Sequence, residues 1–107
     1  MFRELFLTNQ QRRKIQFFKL MEGFPEGEYS VNTLSHEFGW NYQPFLQLLR
    51  EINDTLIELK EDPLLIAASK LYWKSNPERS NHFLVSLVKQ SVSYRFIASS
   101  LLLSLIH

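Results

Sequence analysis

Residues 34–39 have the sequence LSHEFG, and a three-residue turn separates them from a long amphipathic pattern that begins near residue 42. The two helices of a helix-turn-helix motif cross closely, which favours a small residue at the crossing, and Ser35 occupies that position. Four residues later, Gly39 can adopt the positive φ that such a turn requires. The spacing therefore predicts a helix-turn-helix. An ordinary helical hairpin with a glycine corner is the alternative that the same residues leave open.

The flanking segments extend this motif into a larger pattern. Apolar periodicity and capping residues predict helices over residues 9–21, 30–38 and 42–59, a β-hairpin over 64–74 and a further helix from about residue 77. Three helices followed by a two-stranded wing is the winged helix-turn-helix order. We therefore expect a mainly α fold with a small β-hairpin, in which residues 1–75 form the winged helix-turn-helix and residues 76–107 are a C-terminal helical segment that begins a following domain of a longer protein.

The long third helix has two distinct faces. Its apolar residues recur at helical spacing, and its polar residues lie opposite them. The predicted core is drawn from this stripe and from the first two helices: Phe18, Leu34, Phe38, Phe45, Leu49, Ile52 and Leu56. The predicted outward face carries Gln43, Gln47, Arg50 and Asp54, with Tyr42 at the tip and Leu46 on the flank.

These outward side chains match the chemistry of base edges. Glutamine can pair bidentately with adenine, arginine can pair with guanine, and an apolar flank can meet a thymine methyl group. The alternative is that they are solvated polar residues, which every surface helix carries. Asp54 would repel phosphate, so much of the affinity for DNA must come from basic residues elsewhere. The candidates are Arg12, Arg13 and Lys14 on the first helix, and Lys60, Lys70 and Lys74 near the wing.

The charge distribution supports the prediction of DNA binding only in part. The chain has a formal net charge of +1, but residues 1–20 carry five basic side chains and one acidic side chain. Residues 21–60 carry seven acidic and two basic side chains. A basic N-terminal part is compatible with an edge that faces phosphates, whereas the acidic middle favours a winged helix used as a protein-interaction module without DNA binding.

Other function classes have little support in the sequence. There is no cysteine, and the three histidines lack metal-ligand spacing, so we expect no metal and no cofactor. No catalytic cluster and no glycine-rich phosphate loop is present, which argues against an enzyme. The apolar stretch at residues 92–106 is short for a membrane span and contains Arg95. We therefore expect a cytoplasmic protein that does not span a membrane.

Several segments resemble one family of regulators. Residues 9–15 (NQQRRKI), 34–39 (LSHEFG), 48–56 (LLREINDTL) and 85–96 (VSLVKQSVSYRF) look like parts of the N-terminal domain of the Mga-type transcription regulators of Gram-positive bacteria. The resemblance implies a sequence-specific DNA-binding domain that controls virulence and metabolism genes. It also implies a second helix-turn-helix and phosphotransferase-regulated domains in a longer protein. The chain departs from the family at residues 42–45, because YQPF replaces the usual Ser/Thr-rich turn and basic residues.

The expected partners follow from this hypothesis. Double-stranded DNA is the first, and a second copy of the chain or further domains of the full regulator are the others. The C-terminal helix is apolar on most sides, so we expect it to dimerise through residues near 83–106 or to fold back onto its own core.

Overall fold

The computed structural model describes residues 8–90. It is mainly helical, with a small antiparallel sheet. The elements are α1 (Asn9–Met21), β1 (Gly27–Ser30), α2 (Val31–Glu37), α3 (Tyr42–Glu58), β2 (Leu65–Ala67) and β3 (Lys70–Trp73), followed by α4, which is helical over residues 77–90. The predicted helices, the hairpin and the C-terminal helix are confirmed, and each lies within two residues of its expected position.

The sheet has one strand more than the sequence predicted. No element was predicted between the helices at residues 9–21 and 30–38, but β1 begins at Gly27 and pairs antiparallel with β3, so that the strand order is β1-β3-β2. Only Tyr29 is a strand-favouring side chain in this four-residue segment, so the segment has no apolar alternation to identify it. Its pairing partners lie forty or more residues away, and β1 forms because those partners are there. The wing is therefore part of a three-stranded sheet.

The helix-turn-helix geometry is present as expected. Ser35 of α2 is buried, and its hydroxyl donates to the carbonyl of Asn32 at 2.7 Å. Gly39 has φ of +72°, and a Cβ atom at that position would meet nothing within 4 Å. Glycine is therefore favoured there by the backbone conformation and not by lack of space. The Trp40 amide then donates to the carbonyl of Ser35, which closes the turn before α3.

One core contains residues from every helix. Six of the seven predicted core residues are buried, and Phe38 is only half-buried. Phe38 is the C-cap residue of α2, so it lies at the rim of the core, where its ring packs edge-on against Phe17 and Phe45. The core prediction was therefore wrong in degree for Phe38, whose ring at the end of α2 packs against the core without being fully covered.

The C-terminal helix belongs to this core. Phe83 and Leu87 of α4 are buried, and the rings of Phe83 and Phe18 lie 4.8 Å apart between their centres. This part of α4 packs onto the core, as one of the two expectations for it required. Residues 91–107, which contain most of the apolar segment expected to mediate dimerisation, lie outside the described residues.

Candidate nucleic-acid interface

The outward face of α3 has the orientation that its periodicity predicted. Its buried stripe consists of Phe45, Leu48, Leu49, Ile52 and Leu56. On the opposite side, Gln43, Gln47, Arg50 and Asp54 are all exposed. Tyr42 and Leu46 are half-buried, so each side chain offers one surface to the core and the other to solvent. The helix therefore presents polar hydrogen-bonding groups beside a small apolar flank.

A groove connects this face with the tip of the hairpin. It has a volume of about 410 Å³. From α3 it is lined by Tyr42, Leu46, Arg50 and Asn53, and from the hairpin by residues 66–69. Three of the residues predicted to contact DNA thus share one depression with the wing. The hairpin predicted over residues 64–74 is present, but the sequence gave no indication that residues 66–69 pack beside α3.

The hairpin tip is small and is tied to α2. Ala68 and Ser69 have φ of +51° and +62°, the left-handed conformation of a tight two-residue hairpin turn. The carbonyl of Ser69 accepts a hydrogen bond of 3.0 Å from the amide of Val31, the first residue of α2. Residues 66–69 carry no charged side chain, so the tip of the hairpin is a short neutral wall beside α3.

A second depression lies at the start of α3. It has a volume of about 420 Å³ and is lined by residues of α2, the turn and the helix N-terminus, including His36, Trp40 and Tyr42. Tyr42 lines both grooves and stands between them. His36 is exposed and Trp40 is half-buried against the core.

Lys14, one of the predicted phosphate contacts on α1, has its ammonium group in an ion pair. Its Nζ lies 3.1 Å from Oε1 of Glu51, and only 12% of the side chain is exposed. Burial acts to raise the pKa of Glu51, but hydrogen bonds from Lys14 and Gln47 and the charge of Lys14 outweigh it and lower that pKa overall. The pair joins α1 to α3. The side chains of Arg12 and Arg13 on α1 are exposed.

Lys70 is also paired, although it remains accessible. Its Nζ lies 2.7 Å from Oε1 of Glu28 on the neighbouring strand β1. The hydrogen bond from Lys70, together with its charge, lowers the pKa of Glu28, and the carboxylate in turn raises the pKa of Lys70. Both side chains are about half exposed, so the pair contributes little to stability. A phosphate would have to compete with Glu28 for this lysine.

The other two basic residues near the wing are exposed. Lys60 follows α3 with φ of +61°, and Lys74 follows β3. The backbone carbonyl of Lys74 accepts a hydrogen bond from Arg79 of α4, which fixes the main chain at that point. Within residues 8–90 neither lysine forms an ion pair, so no carboxylate of that part of the chain competes with a ligand for their ammonium groups.

The outward surface of α3 changes character along the helix. Up to Arg50, the exposed side chains are neutral or basic, whereas Asp54 and Glu58 are exposed carboxylates in the second half. Between them lies Ile57, whose side chain is 61% exposed. Only the first half therefore has the charge that a phosphate-rich ligand tolerates.

Within residues 8–90, no group of three or more potential ligands is arranged to hold a metal ion. No helix in the same part of the chain is long and apolar enough to cross a membrane. No family model matches the chain, and no curated protein or solved structure matches it either. The resemblance to Mga-type regulators therefore stays a prediction from the residue pattern.

Proposed function

We propose that this chain is a sequence-specific DNA-binding domain of a bacterial transcription regulator, with a cytoplasmic location. The observation that carries the proposal is the groove in which Tyr42, Leu46 and Arg50 of α3 meet the hairpin tip. In helix-turn-helix proteins the N-terminal residues of the second helix contact base edges in the major groove of DNA. The similarity to Mga-type regulators, stated above from the sequence, favours the same function.

Base contacts in this proposal come from the first half of α3. Arg50 pairs with the O6 and N7 atoms of a guanine, while Gln43 and Gln47 pair with adenines. In the free domain, the side-chain amide of Gln47 donates to Glu51 at 3.3 Å on the surface. This exposed bond is weak enough to be exchanged for a base. Tyr42 and Leu46 supply the apolar contact for a thymine methyl group.

Phosphate contacts come mainly from the exposed residues Arg13, Lys60 and Lys74, and the exposed Arg12 adds a further contact. Lys14 and Lys70 contribute less, because each must first leave a carboxylate. Each neutralised phosphate releases condensed counterions, so affinity falls as the salt concentration rises. Because the described residues include only a few exposed basic side chains of this kind, we expect a salt dependence shallower than that of strongly basic DNA-binding domains.

A protein-interaction module is the second candidate function. It is favoured by the second half of α3, where the exposed Ile57 lies between the carboxylates of Asp54 and Glu58. An apolar side chain rimmed by charge is typical of a protein contact and not of a DNA contact. In this case, the basic first half of α3 would be an ordinary solvated surface.

Duplex binding as a function of salt separates the two candidates. Fluorescence anisotropy with a labelled random duplex would be measured from low to physiological salt, with Lys89→Ala as the control because Lys89 is exposed on α4. We expect wild type and control to bind alike and to weaken together as salt increases. Absence of duplex binding at low salt would refute the DNA-binding proposal and leave the interaction module.

A further inference from the structure

Arg79 of α4 is a buried cation that binds backbone carbonyls. The residue is only 7% exposed. Its Nη1 donates to the carbonyl of Asp62 at 3.2 Å, and its Nη2 donates to the carbonyl of Lys74 at 3.3 Å. Asp62 precedes the hairpin and Lys74 follows it, so the two arms of one guanidinium hold both ends of the β2–β3 hairpin.

Burying this guanidinium costs more free energy than burying an apolar side chain at the same position would. Burial lowers the pKa of Arg79, and the attraction of Asp62, Glu22 and Glu61 only partly offsets it. Among the described residues, no carboxylate lies within ion-pair distance of the guanidinium. The buried Nε has no hydrogen-bond partner there, and neither has Nε1 of Trp73, the ring over which the guanidinium lies at 5.6 Å.

An apolar residue would avoid these costs, because buried charges are often no more stabilising than well-packed hydrophobic groups. What a methionine or leucine lacks is the rigid fork of donors that arginine presents. Here that fork bridges two carbonyls separated by the whole hairpin. The geometry is therefore suited to fixing the hairpin in place and not only to filling space.

The rest of the hairpin is held by different elements. Its tip is bonded to α2 through the Ser69 carbonyl and the Val31 amide. The side chain of Asn53 on α3 pairs with both backbone groups of Leu64, at 2.6 and 3.0 Å. From α4, Arg79 bonds to the main chain at both ends of the hairpin, and His82 contacts the side chain of Glu61 at 2.7 Å, just before it. The tip of the same hairpin forms one wall of the groove beside α3.

We propose that Arg79 is a positioning residue that makes α4 the support of the hairpin, so that displacement of α4 moves the hairpin and changes the groove at α3. A ligand or domain that pulls on α4 would thereby alter the surface that we assign to DNA. Only this last consequence rests on the proposed function. The mechanical link between α4 and the hairpin is independent of it.

Amide hydrogen exchange of two substitutions tests the link. Arg79→Met removes the fork, and Arg79→Lys keeps the charge but cannot bridge both carbonyls in the same geometry. Lys89→Met, on the exposed side of α4, is the matched control. We expect both Arg79 variants to raise exchange in β2 and β3 by about ten-fold, with a clearly smaller rise in α1 and α3. An equal rise throughout the domain, or none in the hairpin, would overturn the proposal.

Wild-type protein provides a second measurement that does not depend on how the variants fold. In native-state exchange with increasing urea, the amides of α4 and of the hairpin should open together, before those of α1 and α3. Opening of α4 while the hairpin stays protected would overturn the proposal, and so would a single opening shared by the whole domain.

Duplex binding distinguishes this inference from the proposed function. If wild type binds duplex DNA, Arg79→Lys should weaken that binding. The base preference at the position that Arg50 contacts should stay the same. If wild type binds no duplex at any salt, the proposed function fails, and the exchange experiments still decide whether Arg79 couples α4 to the hairpin.

Discussion

The two halves of α3 share one inner surface but have opposite outer surfaces. Along the whole helix the inner stripe is apolar and buried, from Phe45 to Leu56. On the outside, residues 42–50 present glutamines and Arg50 beside the groove, whereas residues 51–58 present Asp54, Glu58 and an exposed Ile57. Core packing explains the apolar inner stripe in both halves of the helix. It does not explain why the outer side chains change from neutral and basic to acidic. That change therefore carries information about what the surface contacts.

The difference also limits how DNA could dock. A helix that enters the major groove with its N-terminal half leaves its C-terminal half outside. Carboxylates in that outer half then lie away from the phosphates. A ligand that covered the whole helix would instead have to accommodate both the basic and the acidic half.

The largest expected effect concerns the shared inner stripe. Leu49 is fully buried, so Leu49→Ala should lower the free energy of unfolding by about 2–5 kcal/mol. Urea denaturation followed by circular dichroism measures this loss. Gln43→Ala, on the outer surface of the same half, is the control and should change stability by less than about 0.5 kcal/mol. Similar losses for the two variants would mean that the helix faces are assigned wrongly.

The next effect separates the two outer surfaces. Arg50→Ala should reduce affinity for a preferred duplex by about 1–3 kcal/mol and relax the base preference at one position. Selection from a random duplex library, followed by anisotropy on the selected and scrambled sequences, provides both values. Unchanged affinity and unchanged preference would remove the first half of α3 from the DNA interface.

A smaller effect distinguishes unpaired from paired basic residues. Arg13→Ala should weaken binding to all sequences alike and reduce the salt slope by about one. Lys70→Ala should do less, because Glu28 already partly neutralises this lysine. Conversely, Glu28→Gln should free Lys70 and increase affinity for random duplex. If Lys70→Ala costs as much as Arg13→Ala, the ion pair with Glu28 has no bearing on phosphate binding.

The smallest effect lies in the acidic half. Asp54→Asn removes one exposed carboxylate on the same side as Arg50 and should raise duplex affinity slightly at low salt, through lost repulsion. The gain should disappear at high salt, where charges separated by solvent are screened. A marked loss of affinity in Asp54→Asn would place this carboxylate in the interface and contradict the division of the helix.

The sequence predicted the helices and their faces because these depend on local periodicity. Residues three and four apart in α3 define its buried stripe, and Gly39 marks the turn, without any knowledge of the rest of the chain. The hairpin was also predictable, since β2 and β3 are joined by a two-residue turn. Such features are encoded within a few residues of where they appear.

What the sequence did not predict depends on distant partners. Strand β1 exists through its pairing with β3, and four residues with one aromatic side chain give no independent indication of it. The ion pairs of Lys14 and Lys70 likewise join separate elements, so their basic character was evident but their neutralisation was not. The groove beside α3 has the same origin, because residues 66–69 reach it only once the hairpin has folded.

Backbone amide NMR of the labelled domain, titrated with a duplex selected for binding, shows whether the first half of α3 and the hairpin tip contact DNA. We expect amide shifts to change in residues 42–50 of α3 and in residues 66–69 of the hairpin, while residues 54–58 change little. Changes concentrated at residues 54–58, or no changes in the first half of α3 at saturating duplex, would contradict the proposed DNA interface.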